Sequence, residues 1–496
     1  MIFLLLVKLL FVVAAFAVYK VRKMFLYWND RGVNYEEPVF PFGNIKGLGK
    51  DKHFSEFNMN LYEKFKRKGR FFGMFFFINK VFVITDLDLI KQIFIKDFSN
   101  FNERGLYHNK RDDPISEHLL TLDGKSWKAM RSKLSPTFTS AKMKFMFPTV
   151  QKVGEEFVEV LEKVVENEDE IDIKELLARF TTDVIGTCAF GIECNSLRDP
   201  NAEFRLYGRK VVEYQQRNTK KIIFQQNFQK IAKFLRMRLI NPECSTYFIE
   251  TVKETVKYRE QNNFRRNDFM DLLIDLKNNR NEDNPEGLTY TEVAAQSFIF
   301  ILAGFETSSS TMSFMLHELA SHPEIQSKLR SHLKEVLQRH NGEITYECMK
   351  EMTYLEQVIM ETIRKYPIIP NLLRLTQEDY HVPDSNLILE KGMSVLIPIR
   401  AIHYDEDIYP NPHKFNPDRF SPEEMSKRHP QSFLGFGDGP RNCIGSRFAK
   451  MQMYICITSL ITNFELTTDK PLTLSKEGFL LGTKDGIYLK IKRIRK

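Results

Sequence analysis

Tryptophan is nearly missing from this chain of 496 residues, at two, and cysteine is sparse, at six. The cysteines stand at 188, 194, 244, 348, 443 and 456, with no Cys-x-x-Cys pair. So scattered a set argues against a disulfide framework and fits a thiol-reducing, cytosol-facing setting. It also offers no zinc-type spacing, which needs three or four nitrogen or sulfur ligands. The net charge is +8, which suits anionic lipid or an acidic protein partner. No dense lysine–arginine run, zinc finger or RNA-binding pattern accompanies it, so nucleic acid is not an expected partner. Internal repeats, low-complexity tracts and stretches long enough to link domains are absent too, although charged loops occur near 262–287. The length would allow two to four average domains, but one large domain is the expected count.

The N-terminus carries a long apolar run. Residues 1–19 read MIFLLLVKLLFVVAAFAVY, with Lys8 as the one charge. As a helix they span roughly 28 Å, close to the ~30 Å hydrocarbon core. Lys20, Arg22 and Lys23 follow, and the positive-inside tendency places the rest of the chain in the cytosol. A cleaved signal peptide is the rival, since Ala15-Phe16-Ala17 resembles a cleavage site. The anchor is preferred because no basic residue precedes the run and the basic cluster lies after it. The expected divisions are an anchor at 1–20, a basic, proline-rich linker at 21–45 that includes Glu36-Glu37-Pro38-Val39-Phe40-Pro41-Phe42-Gly43, and one domain at 46–496.

Most of the 42 phenylalanines serve core packing. Phe71 to Phe77 and Val81 to Thr85 predict two strands around a turn at Asn79-Lys80. From about 115 to 370 the pattern is helical, and strand signals return at Gly392 to Ile399 and in the last 25 residues. The fold class is mainly α with small β-sheets. Thr289-Tyr290-Thr291-Glu292 reads as a capping box opening an apolar, buried helix that runs towards Ala320. Thr353-Tyr354-Leu355-Glu356 reads as a second capping box, on a helix stopped by Pro367.

Cys443 lies among Gly437, Gly439, Pro440 and Gly445, with a helical pattern resuming at Ser446. Such a loop feeding a helix start favours an anion, because free N–H groups and the positive dipole end face it. The thiol is expected to move towards thiolate, with Arg441 and Arg447 assisting. A nucleophilic cysteine would need a positioned histidine, and no local motif supplies one.

Phe436-Gly437-Asp438-Gly439-Pro440-Arg441-Asn442-Cys443-Ile444-Gly445 resembles the haem-binding signature of the cytochrome P450 superfamily at every defining position. The resemblance runs nearly the length of the chain. It implies a single cytochrome P450-type domain with an N-terminal membrane-anchor helix, and haem b with Cys443 as axial thiolate ligand. Glu361 and Arg364, three apart on one helix face, resemble the superfamily's Glu-x-x-Arg, with Arg419 as structural third member. Trp127, Arg131, Arg374 and Arg441 are implied partners of the haem propionates, and Phe436 and Ala303 of the haem itself. Ala303-Gly304-Phe305-Glu306-Thr307-Ser308 interrupts the apolar helix. A hydroxyl there can bond back to the helix and open a groove. The resemblance makes that groove an oxygen site, with Thr307 delivering protons and Glu306 in the relay. Arg111-Asp112-Asp113-Pro114 and Leu134-Ser135-Pro136-Thr137-Phe138-Thr139-Ser140 look like the insect microsomal family-six enzymes.

The implied activity is monooxygenation with electrons from NADPH. These arrive through the flavin-containing NADPH–cytochrome P450 reductase, with cytochrome b5 as a second donor. The implied location is the endoplasmic reticulum membrane. Leu106, Leu120, Ile299, Leu302, Ala303, Ile368, Ile369, Phe479 and Leu480 would line an apolar pocket for lipophilic substrates. Asn371, in a usually apolar stretch, would alter the preference. Xenobiotics such as plant toxins or insecticides are the first expectation; a hormone or a fatty acid is the second. Lys128, Lys133, Arg447 and Lys450 would offer the reductase a basic face. Two other classes stay open: a haem–thiolate isomerase or dehydratase acting on peroxides, and a non-enzymatic membrane-bound binding protein.

Overall fold

The computed structural model describes residues 2–266, 268–278 and 287–494, with only the backbone of Ala17. The charged stretch near 262–287 therefore lies partly outside the described residues.

The N-terminal run forms a helix, Ile2–Phe25, that is long and apolar enough to cross a membrane and is not buried in the protein. It continues five residues past Lys20, and its end is packed rather than loose. Phe25, Tyr27 and Trp28 are buried. Trp28 Nε1 donates to the Met74 carbonyl at 3.2 Å, and the Phe25 ring lies 5.2 Å from that of Phe75. A Cβ on Gly73 would stand 2.3 Å from the Trp28 indole, so this contact needs glycine. The first part of the linker is thereby fixed to a sheet. Helix Tyr290–Ser321 passes the same length and apolarity test, but it is mostly buried, as a core helix should be.

That sheet has four strands. Phe71–Phe76 pairs antiparallel with Asn79–Ile84, which pairs parallel with Ser394–Ile397, which in turn pairs antiparallel with Leu372–Leu375. The turn falls at Phe77-Ile78, not at Asn79-Lys80, and Asn79 opens the second strand opposite Phe76. Phe77 takes φ +51°, unusual for a bulky residue. Its N–H is held by the Phe42 carbonyl and its ring lies 5.9 Å from Phe228. Tertiary contacts therefore override the usual turn chemistry. A three-stranded sheet joins Ile171–Asp172, Tyr488–Arg493 and Phe464–Thr467.

The rest is largely helical, packed around Tyr290–Ser321. Its expected capping box is present, with the Thr289 hydroxyl on the Glu292 N–H and the Glu292 carboxylate on the Thr289 N–H. The second expected box does not form. Helix Thr353–Lys365 begins without a side-chain cap: its N-cap is Met352, the Glu356 N–H donates to the Met352 carbonyl, and the Glu356 carboxylate bonds Lys450 and Tyr454. The central helix packs on helix Ile173–Ile185, where a Cβ on Gly304 would come 2.5 Å from Ile185 Cδ1. Gly304 thus has a packing reason beside any functional one: it lets two helices approach closely.

Candidate functional site

The Cys443 loop is shaped by local constraints. Gly437 and Gly439 sit at φ +68° and +70°, and a Cβ on Gly439 would strike the Phe94 carbonyl at 2.1 Å. The Cys443 N–H donates to the Phe436 carbonyl at 2.8 Å and closes the loop just before helix Ser446–Asn463. Cys443 is exposed, whereas the other five cysteines are buried. Protein mass around the loop nevertheless pushes its thiol up. The Gly445 N–H, Arg131 and Arg104 pull the other way without overcoming it. The lowering cations are thus not Arg441 and Arg447, as the sequence suggested, and the net shift is away from thiolate.

Cations cluster beside this loop. Arg374 and Arg441 are buried, and Arg104 adjoins them. Arg441 donates to Asp123 at 2.9 Å and to the carbonyls of Asn102 and Leu122, and its guanidinium lies 4.8 Å from the centre of the Trp127 ring. Arg374 donates to the Leu373 carbonyl at 2.8 Å, and its guanidinium lies 4.6 Å from the centre of the Phe94 ring. Burial, then Arg441, pushes the Arg374 pKa down to about 9; burial, then Arg374 and Arg441, pushes Arg104 well down. Among the described residues, the Nε atoms of Arg374 and Arg441 are buried without a hydrogen-bond partner. Three converging guanidiniums, two of them with orphaned Nε donors, against the carboxylates of Asp123 and Glu103 leave excess positive charge in a buried setting. A dianionic group would correct it, and the two propionates of a haem fit. Arg131 is placed differently: it bonds the Asn442 carbonyl and side chain at 2.9 and 2.8 Å.

Sequence reading missed Arg104 and Asp123. Asp123 stands at the N-cap of helix Gly124–Leu134 but makes no cap bond, because its carboxylate serves Arg441 and the N–H groups of Arg104 and Gly105. Gln296 was missed as well. It is fully buried on the central helix, accepts the Leu119 N–H and donates to the Glu117 carbonyl, fixing the loop that carries Leu120. A lone amide inside an apolar helix was the available signal.

On the central helix Ala303 is exposed between buried Ile301 and Phe305, so it faces open space. Thr307 Oγ1 donates to the Ala303 carbonyl, the back-bond expected from sequence. Glu306 does not share that direction. Its carboxylate accepts from Ser310 at 3.1 Å and pairs with Lys174 at 3.6 Å.

Behind the loop the expected pair is complete. Glu361 and Arg364 are fully buried and bidentate, at 2.7 and 2.9 Å, and Arg419 Nε lies 3.5 Å from Glu361. His403, also missed, links this pair to the loop. Its carbonyl accepts from Arg364 at 2.9 Å, its Nδ1 contacts the Arg364 carbonyl at 3.1 Å and its Nε2 accepts the Leu434 N–H at 3.0 Å. Burial, then Arg364, pushes the His403 pKa from 6.5 down to about 3. The folded protein keeps it neutral, while the unfolded chain protonates it below pH 6.5. Its contribution is therefore whole above pH 6.5 and lost as pH falls from 6.5 towards 3, by about 1.4 kcal/mol per pH unit at the steepest. Denaturation midpoints measured across that window are expected to fall less steeply in His403→Gln than in wild type. Equal slopes would remove His403 from the acid response.

Of the proposed pocket residues, Ile299 and Ile368 are buried, Leu106, Leu120, Leu302 and Leu480 are half-buried, and Ile369 and Phe479 are exposed. The Leu481 N–H donates to the Ile368 carbonyl at 2.9 Å, which brings the two distant segments together. Asn371 is half-buried, and its amide oxygen accepts from Asn58 at 2.8 Å. Of the residues expected to form a basic face, Lys128 and Arg447 are exposed, but Lys450 is paired with Glu356.

The profile of the cytochrome P450 family matches residues 34–490. The chain is 48% identical to cytochrome P450 6a9 of Drosophila melanogaster, over 99% of both chains. It is 48% identical to cytochrome P450 6a2 of the same organism, again over 99% of both. It is 45% identical to cytochrome P450 6A1 of Musca domestica, over 98% of this chain and 97% of that one.

Proposed function

The chain belongs to the cytochrome P450 family, and from that membership we propose a monooxygenase of lipophilic xenobiotics, with plant toxins and insecticides as the substrate class. The family makes it a haem monooxygenase whose cofactor takes a cysteine thiolate ligand. Cys443 is that ligand in this proposal. Trp127, Arg104, Arg374 and Arg441 hold the propionates, with Arg131 turning from Asn442 to join them. The observation that carries the reading is the buried guanidinium cluster, with the Nε atoms of Arg374 and Arg441 orphaned, beside the exposed Cys443.

When bound, the haem supplies the activation of dioxygen and the transfer of one oxygen atom to the substrate. The chain's own contribution is orientation, exclusion of water and proton supply. Leu106, Leu120, Ile299, Leu302 and Ile368 present an apolar surface to the substrate. Because the Thr307 hydroxyl proton is engaged by the Ala303 carbonyl, Oγ1 is left to accept a hydrogen bond from a water in the groove. Glu306, held by Lys174 and Ser310, takes protons from the far side of the helix and passes them on when its side chain turns. Thr307→Ala is expected to keep NADPH consumption while product per NADPH falls on the order of 10- to 100-fold, at or below the low end for a positioned proton donor. Unchanged coupling would remove Thr307 from the relay.

Helix Ile2–Phe25 anchors the domain on the cytosolic side of the endoplasmic reticulum membrane. Electrons come from NADPH through its reductase, with cytochrome b5 as a second donor. Exposed Lys128 and Arg447 receive the acidic partner. The test is reconstitution with the reductase and NADPH on a panel of lipophilic compounds, with products identified. Product from a lipid hydroperoxide alone, and none with NADPH and reductase, would instead make it an isomerase or dehydratase. Turnover confined to hormones or fatty acids would sink the xenobiotic assignment.

A further inference from the structure

We propose that His53, which is no part of the pocket lining, positions the turn Gly478-Phe479-Leu480 at the pocket rim and so sets how well bulky ligands fit. The inference deepens the substrate reading above, on which Phe479 and Leu480 stand at that rim. His53 is the N-cap of helix Phe54–Phe65 and is buried, at 3% exposure. Its Nδ1 takes the Ser55 N–H at 3.1 Å and lies 2.7 Å from the Ser55 hydroxyl oxygen. A backbone N–H can only donate, so Nδ1 carries no proton. Burial, then Arg400, pushes the ring's pKa from 6.5 down to about 4, so the ring is neutral at physiological pH. Its one proton therefore sits on Nε2.

That Nε2–H is a buried donor aimed at the turn. Among the described residues it completes no hydrogen bond of ordinary geometry, yet the carbonyls of Gly478 and Leu480 both face it. A donor shared between two carbonyls meets neither at full strength, and losing both would leave it buried and unsatisfied. Among the described residues, the backbone groups of Gly478, Phe479 and Leu480 make no hydrogen bond of their own. The bonds that shape the turn lie to either side. The Ser475 N–H donates to the Gly482 carbonyl at 2.8 Å, the Glu477 N–H to the Ser475 hydroxyl at 3.1 Å, and the Leu481 N–H to the Ile368 carbonyl at 2.9 Å. Leu480 packs partly on the main core, whereas Phe479 is exposed. The polar support of the tip itself is therefore His53.

The same helix start holds the other side of the rim. The Ser55 hydroxyl accepts from Arg400 at 2.9 Å, and the Arg400 N–H donates to the Pro370 carbonyl at 3.1 Å. Asn58 donates to Asn371 at 2.8 Å. His53, Ser55 and Asn58 thus refer two distant segments, 368–371 and 478–481, to one helix. The segment at 368–371 is fixed by complete hydrogen bonds, and the turn at 478–480 by one shared donor. The turn is accordingly the side of the rim that a change at His53 releases.

Two substitutions separate the two ring nitrogens, tested on the full-length haem-loaded protein. His53→Asn keeps a capping acceptor in place of Nδ1 and loses the donor; His53→Gln reaches further, keeping a donor in place of Nε2 and losing the cap. The readouts are the denaturant midpoint, amide exchange over 478–482, and the Soret shift on binding clotrimazole, with imidazole as the small probe. In His53→Asn the midpoint should hold and exchange should quicken. Its clotrimazole Kd should rise about fivefold, the scale of one neutral hydrogen bond, while that of imidazole stays as in wild type. His53→Gln should lower the midpoint and bind clotrimazole as wild type does. Wild-type exchange and clotrimazole affinity in His53→Asn overturn the proposal, as does weakened clotrimazole binding that follows the midpoint in both variants. Should the variants not fold, the ring nitrogen shifts of His53 in wild type decide: a proton on Nε2 is expected, and one on Nδ1 overturns the proposal. A wild-type protein without a haem spectrum overturns the haem reading, and the exchange and ring-nitrogen measurements then still decide whether His53 holds the turn.

Discussion

Cys443→Ala is expected to abolish the red-shifted Soret band of the reduced carbon monoxide complex and all NADPH-dependent turnover, while Cys456→Ala retains both. The contrast separates a ligand from a packed thiol. Cys456 is fully buried in helix Ser446–Asn463, and burial pushes its thiol up. Its loss leaves a small cavity and costs about 1 kcal/mol. Cys443 is the exposed cysteine, on a loop that positions its sulfur beside the arginine cluster. The protein mass around the loop also pushes Cys443 up, against the pull of the Gly445 N–H, Arg131 and Arg104. The protein alone therefore does not make it a thiolate. Coordination does, since a metal-bound thiol is deprotonated outright. The expectation is an ordinary, sluggish thiol in haem-free protein and a thiolate once the cofactor is in place. Alkylation of Cys443 as fast as that of a free low-pKa thiol, in the absence of haem, would contradict this account. A surviving Soret band in Cys443→Ala would sink the ligand assignment.

What the sequence disclosed follows from how local each signal is. The Cys443 loop, the break at Glu306-Thr307 and the pair Glu361 and Arg364 lie within short segments, where spacing alone sets which side chains meet. Arg104, Asp123, Gln296 and His403 are single polar residues on separate segments, brought together only by tertiary packing. No periodicity marks them. The capping boxes show the same limit. Thr289 and Glu292 cap as read, but Glu356 is taken by Lys450 and Tyr454 from a helix about a hundred residues away. The hairpin turn moved to Phe77-Ile78 for the same reason, since contacts with Phe42 and Phe228 outweigh local turn preference. Local rules identified the motifs; the supports that hold them in place were long-range.

Among those supports, Glu361 is expected to be the least replaceable. Glu361→Gln should cost about 3–5 kcal/mol, the scale for breaking a buried ion pair. The Glu361 carboxylate holds both arms of Arg364, the Asn416 N–H at 2.9 Å and Arg419. Burial alone would lower the Arg364 pKa, but its bonds to Glu361 overcome that and raise it. Without the charge, two guanidiniums face each other in a fully or largely buried setting. Arg419→Ala should cost clearly less, because that contact is 3.5 Å long and its side chain retains 10% exposure. The damage is not purely thermodynamic. Arg364 carries His403, and His403 carries the Leu434 N–H two residues before Phe436. Loosening the pair therefore loosens the Cys443 loop, and haem retention should fall with stability. Glu361→Met with Arg364→Leu separates the two effects. Removing both charges relieves the buried imbalance, so stability should recover part of the way. Haem retention should not recover, because the Asn416 N–H still lacks its carboxylate and the His403 carbonyl now loses the Arg364 guanidinium. Denaturant midpoints and haem content, measured on the single and double variants, decide it. A double variant that regains both would show that the pair supplies only charge balance and does not position the loop.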